Sequence, residues 1–250
     1  DPELLDREID RLSKESVRTI TDATSANLIL GGTAIDVRDT NALYFNTAFY
    51  FDRHGEYVNR YDKIHLVPFG EFIPFEKWLS FFSYIVPYTV SLSGGKQRTM
   101  FELDTMKDDR YCKFGVIICY EDTVAPLVRK FRKDGADFMI NITNDAWFHD
   151  SSELDQHLAV MVFRAVENRI SITRAANSGI SSYIAPNGEI YDYLANEGKY
   201  KEVEGILCNN IRYENSVDSW YTNHGDMFAI SCLAVTSVLF LAALRRRIFA

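Results

Sequence analysis

Two segments of the chain carry residue types suited to nucleophilic acyl chemistry. The first places Lys63 and Glu71 in the run YDKIHLVPFGE, and the second places Cys119 and Glu121 in the run GVIICYED. Residues 116–118 are apolar without alternation, which predicts a buried strand that ends at the polar residues after it. Cys119 is therefore expected at the C-terminal edge of a sheet, where α/β proteins place their ligand sites.

The thiol of Cys119 suits an attack on a carbonyl carbon. A thiolate there could hold an acyl group as a thioester until a second nucleophile arrives. An unperturbed thiol is mostly protonated at neutral pH, so Cys119 needs a base or a nearby cation, and we expect Lys63 to be that cation. Taken alone, a cysteine that ends an apolar strand is more often a small buried hydrophobic residue.

Composition narrows the class of protein. The 250 residues are 47% hydrophobic and 25% charged, with no linker or internal repeat, which predicts one large domain plus a tail. The net charge of -8 without a basic stripe argues against nucleic acid as a partner. Spacing of the four cysteines favours neither a zinc site nor a disulfide framework. Without a Gly-rich phosphate loop or ligand cluster, we expect no cofactor and no metal.

The tail of the chain predicts a membrane span. Residues 227–244 carry no charge over 18 positions and are followed at once by three arginines. The positive-inside rule puts the C-terminus in the cytoplasm and residues 1–225 on the other face, which is the periplasm in a bacterium. We therefore expect a catalytic domain over 1–225 and a transmembrane helix with a basic cytoplasmic end over 226–250. The alternative is a buried core helix.

Alternating helix and strand patterns predict a layered α/β domain. Helices are expected up to about residue 23 and over 125–133 and 152–168, and strands over 27–31, 42–51, 116–118, 137–142, 170–174 and 180–185.

Four segments together resemble a known family. These are the cysteine segment, the run LVPFGEFIP at 66–74, NITNDAWF at 141–148 and RAANSGIS at 174–181. They are similar to the nitrilase, or carbon-nitrogen hydrolase, superfamily, and within it to the bacterial apolipoprotein N-acyltransferases, which carry a C-terminal span after the enzyme domain.

The resemblance implies a four-layer αββα sandwich and a Glu-Lys-Cys triad. Cys119 matches the nucleophile and Lys63 the triad lysine, whose ammonium would stabilise the oxyanion together with backbone N–H groups such as that of Tyr120. Glu71 and Glu121 match supporting acidic positions. The implied reaction moves an acyl chain from a phospholipid to the N-terminal amine of a lipoprotein's S-diacylglyceryl-cysteine, in a monomer of the bacterial inner membrane.

Other polar residues are expected to shape the pocket without catalysing. Asn144, Asp145 and Trp147 are assigned to its wall, with a tight turn around a buried aromatic ring as the alternative. His157 is expected to be a hydrogen-bonded packing residue on the long helix and not a base.

The triad glutamate is the departure from the family pattern. It normally lies in a Trp-Pro-Glu type segment shortly before the first long helix, and this chain begins at that helix. We therefore expect the general base upstream of residue 1, which would leave the fragment inactive. Glu3 is the one candidate within the chain, but the Asp-Pro-Glu start is also explained by helix-start preferences.

Residues 69–88 are unusually aromatic. The segment holds Phe69, Phe72 and six more aromatic side chains, with several aliphatic residues between them. We interpret it as an interfacial lid that dips toward the bilayer, and the alternative is a core helix.

Two other classes of function stay open. A membrane-tethered amidase of the nitrilase type would use the same cysteine with water as the second nucleophile. A non-catalytic binding module would keep the fold and lose the chemistry.

Overall fold

The computed structural model describes residues 14–38, 41–74, 91–104, 111–212 and 218–248. The first helix, α1, covers residues 14–24. A three-stranded antiparallel sheet follows, with the order β1 (Leu28–Arg38), β2 (Asn41–Phe51) and β3 (Tyr57–Asp62). The strand predicted over 27–31 is shorter than β1. All 11 residues of β1 pair with β2, and this pairing keeps the chain extended past Gly31 and Gly32.

The second sheet contains six strands in sequence order. They are β4 (Met100–Asp104), β5 (Tyr111–Ile118), β6 (Phe138–Asn144), β7 (Ser171–Asn177), β8 (Ser182–Ile184) and β9 (Ile190–Tyr193). The central strands β5, β6 and β7 are parallel, whereas the outer strands pair antiparallel. Parallel strands end at the same edge of a sheet, so the residues that follow β5, β6 and β7 meet there.

The two sheets pack face to face between layers of helix. The ring of Tyr50 on β2 meets Phe101 and Phe114 of the second sheet edge-on, with centroids 5.3 and 5.6 Å apart. Helices α2 (Ala125–Lys133) and α3 (Glu153–Asn168) cover the outer face of the second sheet. Gly115 on β5 makes room for α2, because a Cβ there would lie 2.5 Å from Cδ1 of Phe131. Helix α1 packs at the turn between β2 and β3, where a Cβ on Gly55 would lie 2.9 Å from Cγ of Arg18, and the architecture is the predicted αββα sandwich.

Two helices follow the sandwich, α4 (Trp220–His224) and α5 (Met227–Ile248). Met227–Arg245 in α5 has a mean hydropathy of 2.4, and none of it is buried against the rest of the chain. Its length and composition are sufficient to cross a membrane. The alternative of a buried core helix is therefore wrong.

Candidate active site

Cys119 lies at the C-terminal edge of the second sheet, as predicted. It follows the last residue of β5 and opens a short 3-10 turn, Cys119–Thr123, that precedes α2. Its backbone φ of 50° is in the left-handed region, which residues with a side chain seldom adopt. Such a conformation persists only where surrounding contacts hold it, and this turn has them.

The buried carboxylate of Glu121 supplies those contacts. One oxygen accepts a hydrogen bond from the backbone N–H of Ile118 at 2.9 Å. The other oxygen accepts three hydrogen bonds, from the Tyr61 hydroxyl at 2.8 Å and from the backbone N–H groups of Ile64 at 2.8 Å and His65 at 3.1 Å. Glu121 thus ties the cysteine turn to the segment that carries Lys63. Burial raises the pKa of Glu121, and it outweighs these hydrogen bonds, which lower it.

Lys63 is held by a buried ion pair. Its side chain is 1% exposed, and Nζ lies 2.9 Å from the carboxylate oxygens of Glu71. Glu71 is in turn fixed by the side-chain amide of Asn46 at 2.9 Å and by the backbone N–H of Val67 at 2.8 Å. The ammonium is therefore oriented by a carboxylate that is itself oriented, which is the arrangement expected of a preorganised charge.

A cavity of about 1080 Å³ brings the two segments together. Five of the residues singled out in the sequence line it: Lys63, Glu71, Cys119, Asn144 and Trp147. The Trp147 side chain is 80% exposed, so the alternative of a tight turn around a buried aromatic ring is wrong. Among the described lining residues, Glu71 is the only one with a carboxylate.

Three other singled-out residues lie outside this cavity. Glu121 is buried beneath the cysteine turn. Tyr120 lines a separate cavity of about 600 Å³, together with Ile64 and His65 of the lysine segment. Asp145 is buried at the base of the loop that carries Trp147. Its carboxylate contacts charged side chains and does not line the cavity.

The partners of Asp145 form a buried polar cluster that the sequence analysis did not assign. Arg174 Nη2 lies 2.7 Å from Asp145, and His157 bridges Asp145 and Asp122 with its two ring nitrogens at 3.1 and 2.7 Å. His157 is buried and hydrogen-bonded, as predicted. Arg174 could have been found from its place at the end of the predicted strand over 170–174, because a charge that is buried in a sheet requires a partner.

The described residues contain no cluster of side chains suited to a metal ion, and two segments singled out in the sequence lie outside them. In the described ranges, no group of three or more His, Cys, Asp or Glu side chains could hold a metal ion. Glu3 and the aromatic segment over 75–88 lie outside the described residues. Phe69, the first residue of the aromatic segment over 69–88, lines the cavity and is 49% exposed.

Comparison with known proteins identifies the family. The sequence profile of the carbon-nitrogen hydrolase family matches residues 6–202, which is most of the chain. The chain belongs to this family. Cys119 and the Lys63–Glu71 pair both lie within the matched region.

Relatives within this family carry a more specific name. The apolipoprotein N-acyltransferase of Geobacter metallireducens is 37% identical over 224 residues, covering 88% of this chain and 40% of that protein. The apolipoprotein N-acyltransferase of Chlorobaculum tepidum is 30% identical over 224 residues, covering 86% of this chain and 40% of its own length. The chain thus spans about 40% of the length of these relatives. The resemblance to this group of the family is confirmed.

The fold of the hydrolase family is also found among solved structures. An amidase from Nesterenkonia sp. AN1, in which acrylamide adds at the active-site cysteine, superposes with a TM-score of 0.51 at 20% identity. The match covers 74% of this chain and 65% of the amidase. At this identity the likeness supports the sandwich fold alone.

Proposed function

We propose that this chain carries the nucleophile of an acyltransferase that moves a fatty acyl group from a phospholipid to the N-terminal amine of a diacylglyceryl lipoprotein. The observation that carries the proposal is the cavity shared by Cys119 and the Lys63–Glu71 pair. Apolar side chains such as Ile29, Val67 and Ile142 form much of its wall, which suits an acyl chain. The relatives named apolipoprotein N-acyltransferase support the choice of donor and acceptor.

In the first step the Cys119 thiolate attacks the carbonyl carbon of a phospholipid ester. Negative charge develops on the carbonyl oxygen, and the Lys63 ammonium and the Tyr120 backbone N–H stabilise it. The C–O bond then breaks, and the lysophospholipid leaves as an alcohol with the proton that the general base took from the thiol. A thioester on Cys119 remains.

In the second step the lipoprotein amine attacks the thioester carbonyl. A C–N bond forms, the C–S bond breaks, and the proton from the amine passes to the base as the thiolate is regenerated. Glu71 is engaged by Lys63, so we assign the base to a glutamate upstream of residue 1, where the family pattern places it. Glu71 and Glu121 act as supports that orient Lys63 and the cysteine turn.

We further propose that α5 anchors the catalytic domain in a bacterial inner membrane with the cavity on the periplasmic side. The 22 residues of α5 extend about 33 Å, which matches the roughly 30 Å hydrocarbon core of a bilayer. Such an anchor keeps the cavity near a phospholipid donor, and a soluble amide substrate would not need it. A monomer is sufficient for this chemistry.

Intact mass spectrometry of the full-length protein tests the proposal. We expect incubation with phosphatidylethanolamine vesicles to add the mass of one acyl chain, and peptide mapping to find it on Cys119 as a hydroxylamine-labile thioester. Cys119→Ala should abolish the adduct. Cys208→Ala removes an exposed thiol outside the cavity and should leave the adduct unchanged.

The other outcomes separate the remaining function classes. If no adduct forms on the folded protein but a short amide is hydrolysed with dependence on Cys119, the chain is an amidase. If neither reaction occurs, the same fold serves as a binding module, and the acyltransferase proposal is wrong.

A further inference from the structure

A buried cluster of four charged side chains lies between the second sheet and α3. Its acidic members are Asp122 in the cysteine turn and Asp145 in the loop before Trp147. Its basic members are His157 on α3 and Arg174 on β7, and all four side chains are at most 7% exposed. No step of the proposed reaction uses any of them.

His157 faces a carboxylate at each ring nitrogen. Nε2 lies 2.7 Å from Asp122 and Nδ1 lies 3.1 Å from Asp145. The Asp122 carboxylate only accepts hydrogen bonds, so Nε2 donates to it. Nδ1 lies between Asp145 and the Nη2 donor of Arg174, and in the positively charged ring it donates to Asp145. Burial and the nearby Arg174 charge lower the pKa of His157, but the two aspartates outweigh them and raise it to about 9.

Arg174 completes the cluster from the opposite side. Its Nη2 lies 2.7 Å from Asp145 and 2.9 Å from Nδ1 of His157, while Nη1 donates to Asn141 at 2.8 Å. Its distance to Asp122 is longer, at 3.5 Å. The two cations and two anions therefore balance, and His157 is the close partner of Asp122.

The cluster joins two parts of the cavity that are far apart in sequence. Asp122 lies within the turn that Cys119 opens, and Asp145 lies between the cavity residues Asn144 and Trp147. Asp145 is further fixed by the Thr143 hydroxyl at 2.7 Å, and the Asp122 Oδ1 atom has no hydrogen-bond partner among the described residues. The shortest contact of the Asp122 carboxylate with a charged side chain is thus the one with His157 at 2.7 Å, and Arg174 adds a longer one at 3.5 Å.

We propose that His157 and Arg174 are positioning residues, which fix the Cys119 turn against the Trp147 loop by balancing the buried charges of Asp122 and Asp145. This inference rests on the proposed function of Cys119 as the nucleophile. The cluster acts through the geometry of the thiol and does not touch the substrate.

The test is the rate at which iodoacetamide alkylates Cys119 in the full-length protein, followed by peptide mass spectrometry. We expect His157→Gln to slow this alkylation about tenfold, because Asp122 loses its cation and the turn relaxes. Acyl transfer should fall by a similar factor in kcat, with less than a twofold change in KM. His54→Gln, in the exposed hairpin turn, is the matched control and should change neither rate.

A second substitution separates charge balance from packing. Adding Asp122→Asn to His157→Gln removes the orphaned anion and should restore alkylation to within about threefold of the wild-type rate. A lost packing contact would not be repaired this way. If His157→Gln does not remain folded, the alkylation rate of the double variant is compared with that of the wild type alone. The double variant retains one buried cation, Arg174, and one buried anion, Asp145.

Two results would overturn the positioning role of His157. An unchanged alkylation rate in folded His157→Gln, or a double variant as slow as the single one, overturns the proposal. If vesicles leave no adduct on wild-type Cys119 but alkylation follows the predicted order, the acyltransferase function fails while the positioning role stands.

Discussion

The Lys63 side chain is charged and almost wholly removed from solvent, and the carboxylate of Glu71 offsets the cost of burying that charge. Glu71→Gln would leave a buried ammonium without its counterion, and breaking a buried pair in this way costs about 3 kcal/mol. We expect a decrease of that size in the free energy of unfolding, measured by chemical denaturation of the detergent-solubilised protein.

An exposed ion pair provides the control for that measurement. Glu102 lies 3.8 Å from Lys113, and both side chains are at least half exposed. Surface pairs of this kind contribute little, so Glu102→Gln should change the stability by less than about 0.5 kcal/mol. Equal effects of the two substitutions would contradict the structural role of Glu71.

The raised pKa of His157 predicts how stability depends on pH. The cation is favoured in the folded state, so its stabilising effect is complete below the ordinary pKa of 6.5 and is lost as the pH rises through about 9. We expect the free energy of unfolding to fall by on the order of 3 kcal/mol between pH 6 and pH 10. The His157→Gln/Asp122→Asn protein should lack this fall, and an identical pH profile in both proteins would contradict it.

At the scale of helices and strands, the sequence predicted the elements whose pattern is local. Helix α2 and the long helix α3 were predicted to within one residue, because their apolar positions recur at helical spacing. The short strands β3, β4 and β9 were missed. They are six, five and four residues long, and β3 and β9 are largely exposed, so a local window lacks the apolar alternation that indicates a strand.

The sequence predicted those residues of the candidate site that lie at the end of a strand or in a family motif. The position of Cys119 and its closeness to Lys63 follow from the apolar strand before the cysteine and from the family resemblance. The buried charge cluster was not predictable, since Asp122, His157 and Arg174 are brought together only by tertiary packing. Burial of Asp145 in that cluster explains why it lies beneath the cavity wall instead of in it.

Strand β1 sets the width of the cavity through a glycine. A Cβ on Gly31 would lie 3.2 Å from Cδ1 of Ile142, so any larger side chain extends into the cavity. We expect Gly31→Leu to reduce thioester formation from long-chain phospholipids at least tenfold more than from short-chain ones. The measurement is the adduct yield with donors of graded chain length.

A second position on the same strand controls for effects on β1 itself. The Val37 side chain is 75% exposed and does not line the cavity, so Val37→Leu should leave the chain-length preference unchanged. An equal loss for short and long donors in Gly31→Leu would mean that the strand is distorted and that Gly31 does not select chain length.

At the scale of the whole molecule, α4 connects the αββα sandwich to α5. Five residues are too few for a stable helix in isolation, so tertiary contacts must hold α4. Arg129 on α2 donates hydrogen bonds to the carbonyl oxygens of Tyr221 at 2.9 Å and Asn223 at 3.0 Å. Ser219 caps the other end by accepting from the backbone N–H of Thr222. The helix that begins just after the cysteine turn is thereby joined to the segment that leads into α5.

Loss of the Arg129 contacts should loosen this connection. We expect Arg129→Gln to increase amide hydrogen exchange over residues 220–225 about tenfold, because the last carbonyl groups of α4 lose their donors. Arg98→Gln removes a similar arginine whose pair with Asp134 is exposed, and it should leave exchange at α4 unchanged. Protection that persists in Arg129→Gln would show that α4 is held by packing alone.

The orientation of α5 can be tested with cysteines on its two sides. Cys208 is exposed and precedes α5, and the arginines after the apolar part of α5 predict a cytoplasmic C-terminus. In a background with Cys119→Ala and Cys232→Ala, a membrane-impermeant maleimide should label Cys208 in intact spheroplasts. A cysteine introduced by Ala250→Cys should react only after the membrane is permeabilised. Labelling of both thiols in intact spheroplasts would contradict the span, and the reverse pattern would place the cavity in the cytoplasm, away from a periplasmic lipoprotein amine.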